Sequence, residues 1–140
     1  CVQVMKELWT KDEAEFHGKY YDFPLVRCNP KPAQKPHPPV LIGSVSSKVF
    51  RRVVSWADGW MPTRATPDDI KRGKATMEEL ATAAGRDPDS IKITVYAGDD
   101  LEARTTFADV GAERMVFRLG NNVGEESLKD LEVLAQRVLG

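Results

Sequence analysis

At 140 residues and a formal net charge of −1, the chain suits one domain and carries no global field that would favour nucleic acid or an anionic membrane. A hydrophobic fraction of 41% with 29% charged residues is ordinary for a globular protein, and the absence of any run of about 18 apolar residues excludes a membrane-spanning helix. Cys1 and Cys28 fall at no metal-ligand or CxxC spacing, so a disulfide framework is not expected and a reducing cytoplasm is the expected setting.

The N-terminal stretch Cys1 to Lys6 lacks a basic start followed by an apolar core, so it does not read as a signal peptide. Val2, Met5, Leu8 and Trp9 stand at helical spacing and predict the end of an amphipathic helix, as a fragment would begin. Aromatic residues flank Gly18 in Phe16-His17-Gly18-Lys19-Tyr20, which predicts a short hairpin turning at His17-Gly18. Asn29 to Pro39 holds five prolines in eleven residues; each fixes φ and removes a donor, so this is an extended connector. Because it runs straight into an apolar strand, it is a poor ligand for an SH3-type partner.

Beyond the connector the pattern becomes regular. Val40-Leu41-Ile42 is a short, wholly apolar strand, followed by a helix with Val49, Phe50, Val53, Val54 and Ala57 on one stripe. Gly59 to Thr63 is a second strand. Thr66-Pro67-Asp68-Asp69 opens a helix whose buried face is expected at Ile70, Met77, Leu80, Ala81 and Ala84, and Gly85 ends it. Residues 91–97 alternate as a third strand, a short helix follows over 101–110, and 115–119 form a fourth strand. The last helix covers 125–139, with Leu128, Leu131, Leu134, Ala135 and Val138 expected to face inward. The order β-α-β-α-β-α-β-α specifies an α/β fold with a parallel sheet and right-handed crossovers. Two architectures satisfy it: a small open sheet with helices on both faces, or half of a closed barrel whose full form takes about 250 residues. Half a barrel leaves strand edges uncovered and would need a partner, such as a second copy.

In parallel α/β folds the sites lie past the C-terminal strand ends, which selects a few residues here. Gly43 and Ser44 follow the first strand, and Ser46 and Ser47 open the next helix, where free N–H groups bind anionic oxygens. Thr63 ends the second strand, with Arg64 beside it as a phosphate-binding fork. Trp60 and Met61 read as core, His17 as a turn residue and His37 as a solvated loop residue. Asp99-Asp100 read as the acidic start of a helix, and Gly120 to Gly124 as a flexible loop where barrels often bind phosphate.

The stretch Asn29 to Gly43, then Ala57-Asp58-Gly59-Trp60, then Gly85-Arg86-Asp87-Pro88, with Gly111-Ala112-Glu113-Arg114 before the last strand, resembles the luciferase-like monooxygenase superfamily. The resemblance covers residues 1 to 140 and implies a (β/α)8 barrel of which this chain forms one domain, the final four β/α units. It implies an oxidoreductase using reduced FMN with oxygen, or a deazaflavin coenzyme of the F420 type for hydride transfer, on a small-molecule substrate. Gly43, Ser44 and Thr63 match positions that line the flavin or deazaflavin and its phosphate. Many members carry Gly-Gly where this chain has Gly43-Ser44. The catalytic groups of the first four strands have no counterpart here, so a homodimer or a missing N-terminal half is implied. The competing expectation is a non-catalytic remnant or subunit that self-associates through open barrel edges.

Overall fold

A computed structural model describes residues 1–98 and 103–139, and divides them into two compact units, Cys1–Pro39 and Val40 onward. The first unit holds helix α1 (Val2–Thr10) and a hairpin of β1 (Ala14–His17) and β2 (Asp22–Val26). Val4 is the buried residue of α1, while Met5 faces solvent, so the inward stripe is rotated from the one its spacing predicts. The hairpin closes at the pair His17–Asp22, which places the reversal over residues 18–21 and not at His17-Gly18. His17 Nδ1–H donates to Asp22 Oδ1 at 2.7 Å across that closing pair. The Pro-rich connector is tied back by Lys31, whose ammonium donates to the carbonyls of Leu8 (2.9 Å) and Lys11 (2.5 Å). A cation at the end of α1 satisfies carbonyls that the last helical turn leaves unpaired. His37 is half-buried with its ring 6.1 Å from that of Trp9, which corrects its reading as a solvated residue.

The second unit is a four-stranded parallel sheet in strictly sequential order, β3 (Leu41–Ile42), β4 (Gly59–Trp60), β5 (Lys92–Gly98) and β6 (Arg114–Phe117). Between them run α2 (Ser47–Trp56), α3 (Pro67–Ala83) and α4 (Ala103–Asp109), and α5 (Glu125–Leu139) closes the chain. The core lies on one face of the sheet, where Ile42, Trp60, Ile93 and Val95 meet Val49, Phe50, Val53, Ile70, Met77, Ala81 and Phe107 of the helices. Alternation then turns Leu41, Gly59, Lys92, Tyr96 and Val116 to the opposite face.

β4 stops three residues earlier than predicted, because Pro62 has no N–H for the ladder; pairing resumes only as an isolated bridge from Thr63 to Tyr96. α3 starts as expected: Asp69 N–H donates to Thr66 Oγ1 (3.2 Å) and Thr66 N–H to Asp69 Oδ2 (2.9 Å), a reciprocal capping box behind Pro67. Its buried face is Ile70, Gly73, Met77 and Ala81; Ala84 is exposed, outside the stripe predicted for it. Gly73 is the residue that spacing overlooked. A Cβ there would fall 2.5 Å from the Trp60 ring, so the absence of a side chain is what lets helix and ring close.

α5 departs furthest from expectation. Leu128 and Leu131 are 61% and 47% exposed, and Leu134, Ala135 and Val138 are only half-buried. Among the described residues, none from α5 belongs to the core cluster. The helix forms because its own periodicity and its acidic first turn, Glu125 and Glu126, favour it. An apolar stripe is buried only if another element lies against it, and among the described residues none does so extensively.

Candidate functional site at the C-terminal edge of the sheet

Parallel pairing aligns the C-terminal ends of all four strands along one edge, and the residues predicted for the site stand there. Gly43 follows β3 in register with Met61, close enough that a Cβ on it would lie 3.3 Å from the Met61 carbonyl oxygen. Thr63 bridges to Tyr96, and Tyr96 pairs with Val116 of β6, so these three form a row across the edge. Tyr96 is 37% exposed on the sheet face away from the helices. Sequence reading treated it as one more alternating strand position; its parity with exposed Lys92, opposite to buried Ile93 and Val95, was the signal that placed it there.

Ser44 takes φ of +115°, and Arg64 takes +57°. Left-handed backbone at a residue with a side chain costs of order 1–3 kcal/mol and persists only where neighbours impose it. At Ser44 two hydrogen bonds do so. The Trp60 indole N–H donates to the Ser44 carbonyl at 2.7 Å, and Ser46 N–H donates to Ser44 Oγ at 3.1 Å. Glycine would reach this torsion without penalty.

Ser46 occupies the N-cap of α2 but makes no side-chain capping bond, so its hydroxyl stays free for another partner. The first-turn amides of a helix carry the positive end of its dipole and donate to anionic oxygens. Arg64 is exposed, and its guanidinium has no ion-pair or hydrogen-bond partner among the described residues. Next to this loop, Val45, Ser47, Phe50, Asp69, Arg72 and Thr76 help line a cavity of about 250 Å³ between α2 and α3, with Trp60 at its base. Arg72 is held there by Asp69 at 2.5 Å. The Asp69 carboxyl is held below the ordinary carboxylate range, chiefly by accepting the Thr66 backbone N–H and hydroxyl, with Arg72 adding to the effect.

The remaining candidates separate from this edge. Trp60 is fully buried in the core, edge-on to Phe50 with ring centroids 5.2 Å apart. His17 lies in the first unit, and its imidazole is pushed up by the hydrogen bond to Asp22. Asn122 in the loop after β6 donates to Asp130 Oδ2 at 2.9 Å, and the same carboxylate stands 3.0 Å from where a Cβ of Gly120 would be. A carboxylate facing that loop disfavours an anion there. Asp99 and Asp100 lie outside the described residues.

Three motif residues, Asp58, Gly59 and Arg86, make structural contacts. Asp58 receives Val40 N–H on Oδ2 at 2.7 Å, gives its own N–H to the Val40 carbonyl at 2.9 Å, and accepts Lys92 N–H on its carbonyl at 3.1 Å, clamping three strand starts. Gly59 lies so close to β5 that a Cβ would fall 2.3 Å from the Lys92 carbonyl oxygen. Arg86 sends Nη1 to the carbonyls of Val53 (3.1 Å) and Val54 (2.8 Å) and Nη2 to that of Ala57 (2.7 Å), closing the C-terminus of α2.

Comparison with known proteins agrees with this architecture. The chain belongs to the luciferase-like monooxygenase family, which matches residues 1–106. An uncharacterised protein of Mycobacterium tuberculosis is 31% identical over 140 residues, covering 98% of this chain and 48% of that protein. The FMNH2-dependent dimethylsulfone monooxygenase of Pseudomonas putida is 30% identical over 117 residues, covering 80% of this chain and 31% of its own length. The coenzyme F420-dependent tetrahydromethanopterin reductase of Methanopyrus kandleri superposes with a TM-score of 0.76 at 14% identity, over 99% of this chain and 60% of that one, a likeness of fold. The chain spans about half the length of the curated relatives it matches.

Proposed function

We propose that this chain forms the final four β/α units of a (β/α)8 barrel oxidoreductase, and that its sheet edge holds the phosphate side of a flavin or deazaflavin coenzyme. The observation that carries the reading is the left-handed Ser44 loop beside the unpaired Arg64 fork, both at the C-terminal edge of a sequential parallel sheet. The donor set fits a phosphate: a loop that approaches closely at Gly43, the Ser44 and Ser46 hydroxyls with the first-turn amides of α2, the Thr63 hydroxyl, and a free guanidinium at Arg64. The sequential strand order, with the core on one face only, supports a barrel segment over an open doubly wound sheet, whose order reverses at a switch point.

When bound, reduced FMN would activate oxygen, or the deazaflavin would exchange hydride with a small-molecule substrate. This chain's residues would anchor and orient the coenzyme, and Tyr96 would line the floor beside Thr63. The polar groups that act on the substrate would come from the other barrel half. The names of the relatives, one FMNH2-dependent and one F420-dependent, support both coenzymes equally.

Titration with FMN and with F420, each followed by absorbance and thermal unfolding, tests the reading. A coenzyme at about 100-fold over its Kd adds roughly 2.7 kcal/mol to the folded state, an upward shift of several degrees. No shift with either coenzyme, on a folded sample, overturns the proposal. The exposed apolar stripe of α5 favours a second reading, a non-catalytic subunit that self-associates as a homodimer; it predicts a folded dimer with no coenzyme response.

A further inference from the structure

We infer that Trp60 is a positioning residue: its indole N–H holds Ser44 in the left-handed conformation that gives the coenzyme loop its shape. This rests on the coenzyme reading of the sheet edge. Trp60 is fully buried, yet its single polar atom reaches out of the core to the Ser44 carbonyl at 2.7 Å. A buried indole must satisfy its N–H, and here it does so on the one residue of the loop whose torsion needs support.

The ring has no freedom to aim elsewhere. Phe50 of α2 meets it edge-on at 5.2 Å, and α3 closes on it through Gly73, where even a Cβ would collide at 2.5 Å. Three elements therefore fix the direction of one N–H bond, and that bond fixes the loop. Packing of α3 on β4 is transmitted in this way to the Ser44 loop.

Two variants and their combination separate positioning from packing. Trp60→Phe keeps an aromatic ring in the core and removes the donor. Ser44→Gly removes the reason the loop needs holding, because glycine occupies positive φ freely. In the intact protein, Trp60→Phe is expected to move residue 44 toward negative φ, read from its amide–Hα coupling and carbon shifts. It is also expected to weaken FMN or F420 binding by about tenfold, as when a binding-competent loop conformation falls to a tenth of its population. In the Ser44→Gly background the same Trp60→Phe change is expected to cost less than about twofold, a non-additivity that a purely packing role does not produce.

Unchanged backbone parameters at residue 44 in Trp60→Phe overturn the inference, as does an equal loss of binding in both backgrounds. If the unaltered protein binds neither coenzyme, the coenzyme reading falls, and the role of Trp60 in setting the loop is still decided by the torsion at residue 44.

Discussion

Arg86 gathers three backbone carbonyls that lie 29 to 33 residues earlier in the chain. Its planar fork suits the task, since the C-terminal end of α2 offers these carbonyls to one guanidinium. Bonds from a charged donor to partly buried acceptors are among the stronger neutral-acceptor contacts. Arg86→Ala is expected to lower unfolding stability by about 2–4 kcal/mol in urea titration, and Arg86→Lys to recover less than half, because one ammonium cannot span all three acceptors. Complete recovery with lysine would mean that charge at the helix end, and not the fork, is the cause. The same residue marks how far sequence reading reached. Gly85-Arg86-Asp87-Pro88 stood out as a pattern, and Gly85 as a helix end, yet nothing local betrays that the guanidinium serves a different helix. Asp58 is parallel: its partners Val40 and Lys92 lie on the two flanking strand starts, out of reach of any spacing rule.

At the scale of elements, local chemistry was decisive where the partner of a residue lies within one turn. The capping box of Thr66 and Asp69 is a four-residue matter, and it was legible. The hairpin was legible as an element but not in its closing pair, since register depends on His17 meeting Asp22 and not on the position of glycine. That pair also titrates. Its hydrogen bond raises the His17 pKa above 6.5, so the stabilisation is complete below the unfolded value and is lost as pH climbs through the raised one. The His17 ring protons are therefore expected to titrate above the ordinary histidine value by NMR, and Asp22→Asn to return them toward it. A titration curve unmoved by Asp22→Asn would reassign the shift to Glu15, 3.8 Å from Nε2. β4 failed in the other direction: its apolar run was read through Pro62, whose missing donor ends the ladder.

For the whole molecule, four β/α units in sequence were legible from periodicity, and their sequential order was not, because apolar alternation is identical in an open sheet and in a barrel. The residues proposed for the site, Gly43, Ser44, Ser46, Thr63 and Arg64, follow the C-terminal ends of β3 and β4, and what holds them was not legible; the indole that bonds Ser44 was read as core, and it is core as well. The expectation for α5 assumed a neighbour that the described residues do not supply. Its stripe gives a direct test of association: sedimentation is expected to rise with concentration, and Leu128→Glu with Leu131→Glu to leave a monomer of unchanged helical content. Concentration-independent sedimentation of the unaltered chain would dismiss self-association through that face.

The Arg86 fork also dictates where this chain tolerates division. A junction placed after Gly85, just past the end of α3 at Ala83, would assign the guanidinium to one parent and its three carbonyls to the other. A junction after Ser90 keeps them together, along with the 3.1 Å bond from Arg86 Nε to Ser90 Oγ. The inheritable module in this fold is thus a strand and helix plus the closing loop of the unit that follows. Chimeras between relatives are expected to express and fold according to whether their crossover respects that overlap.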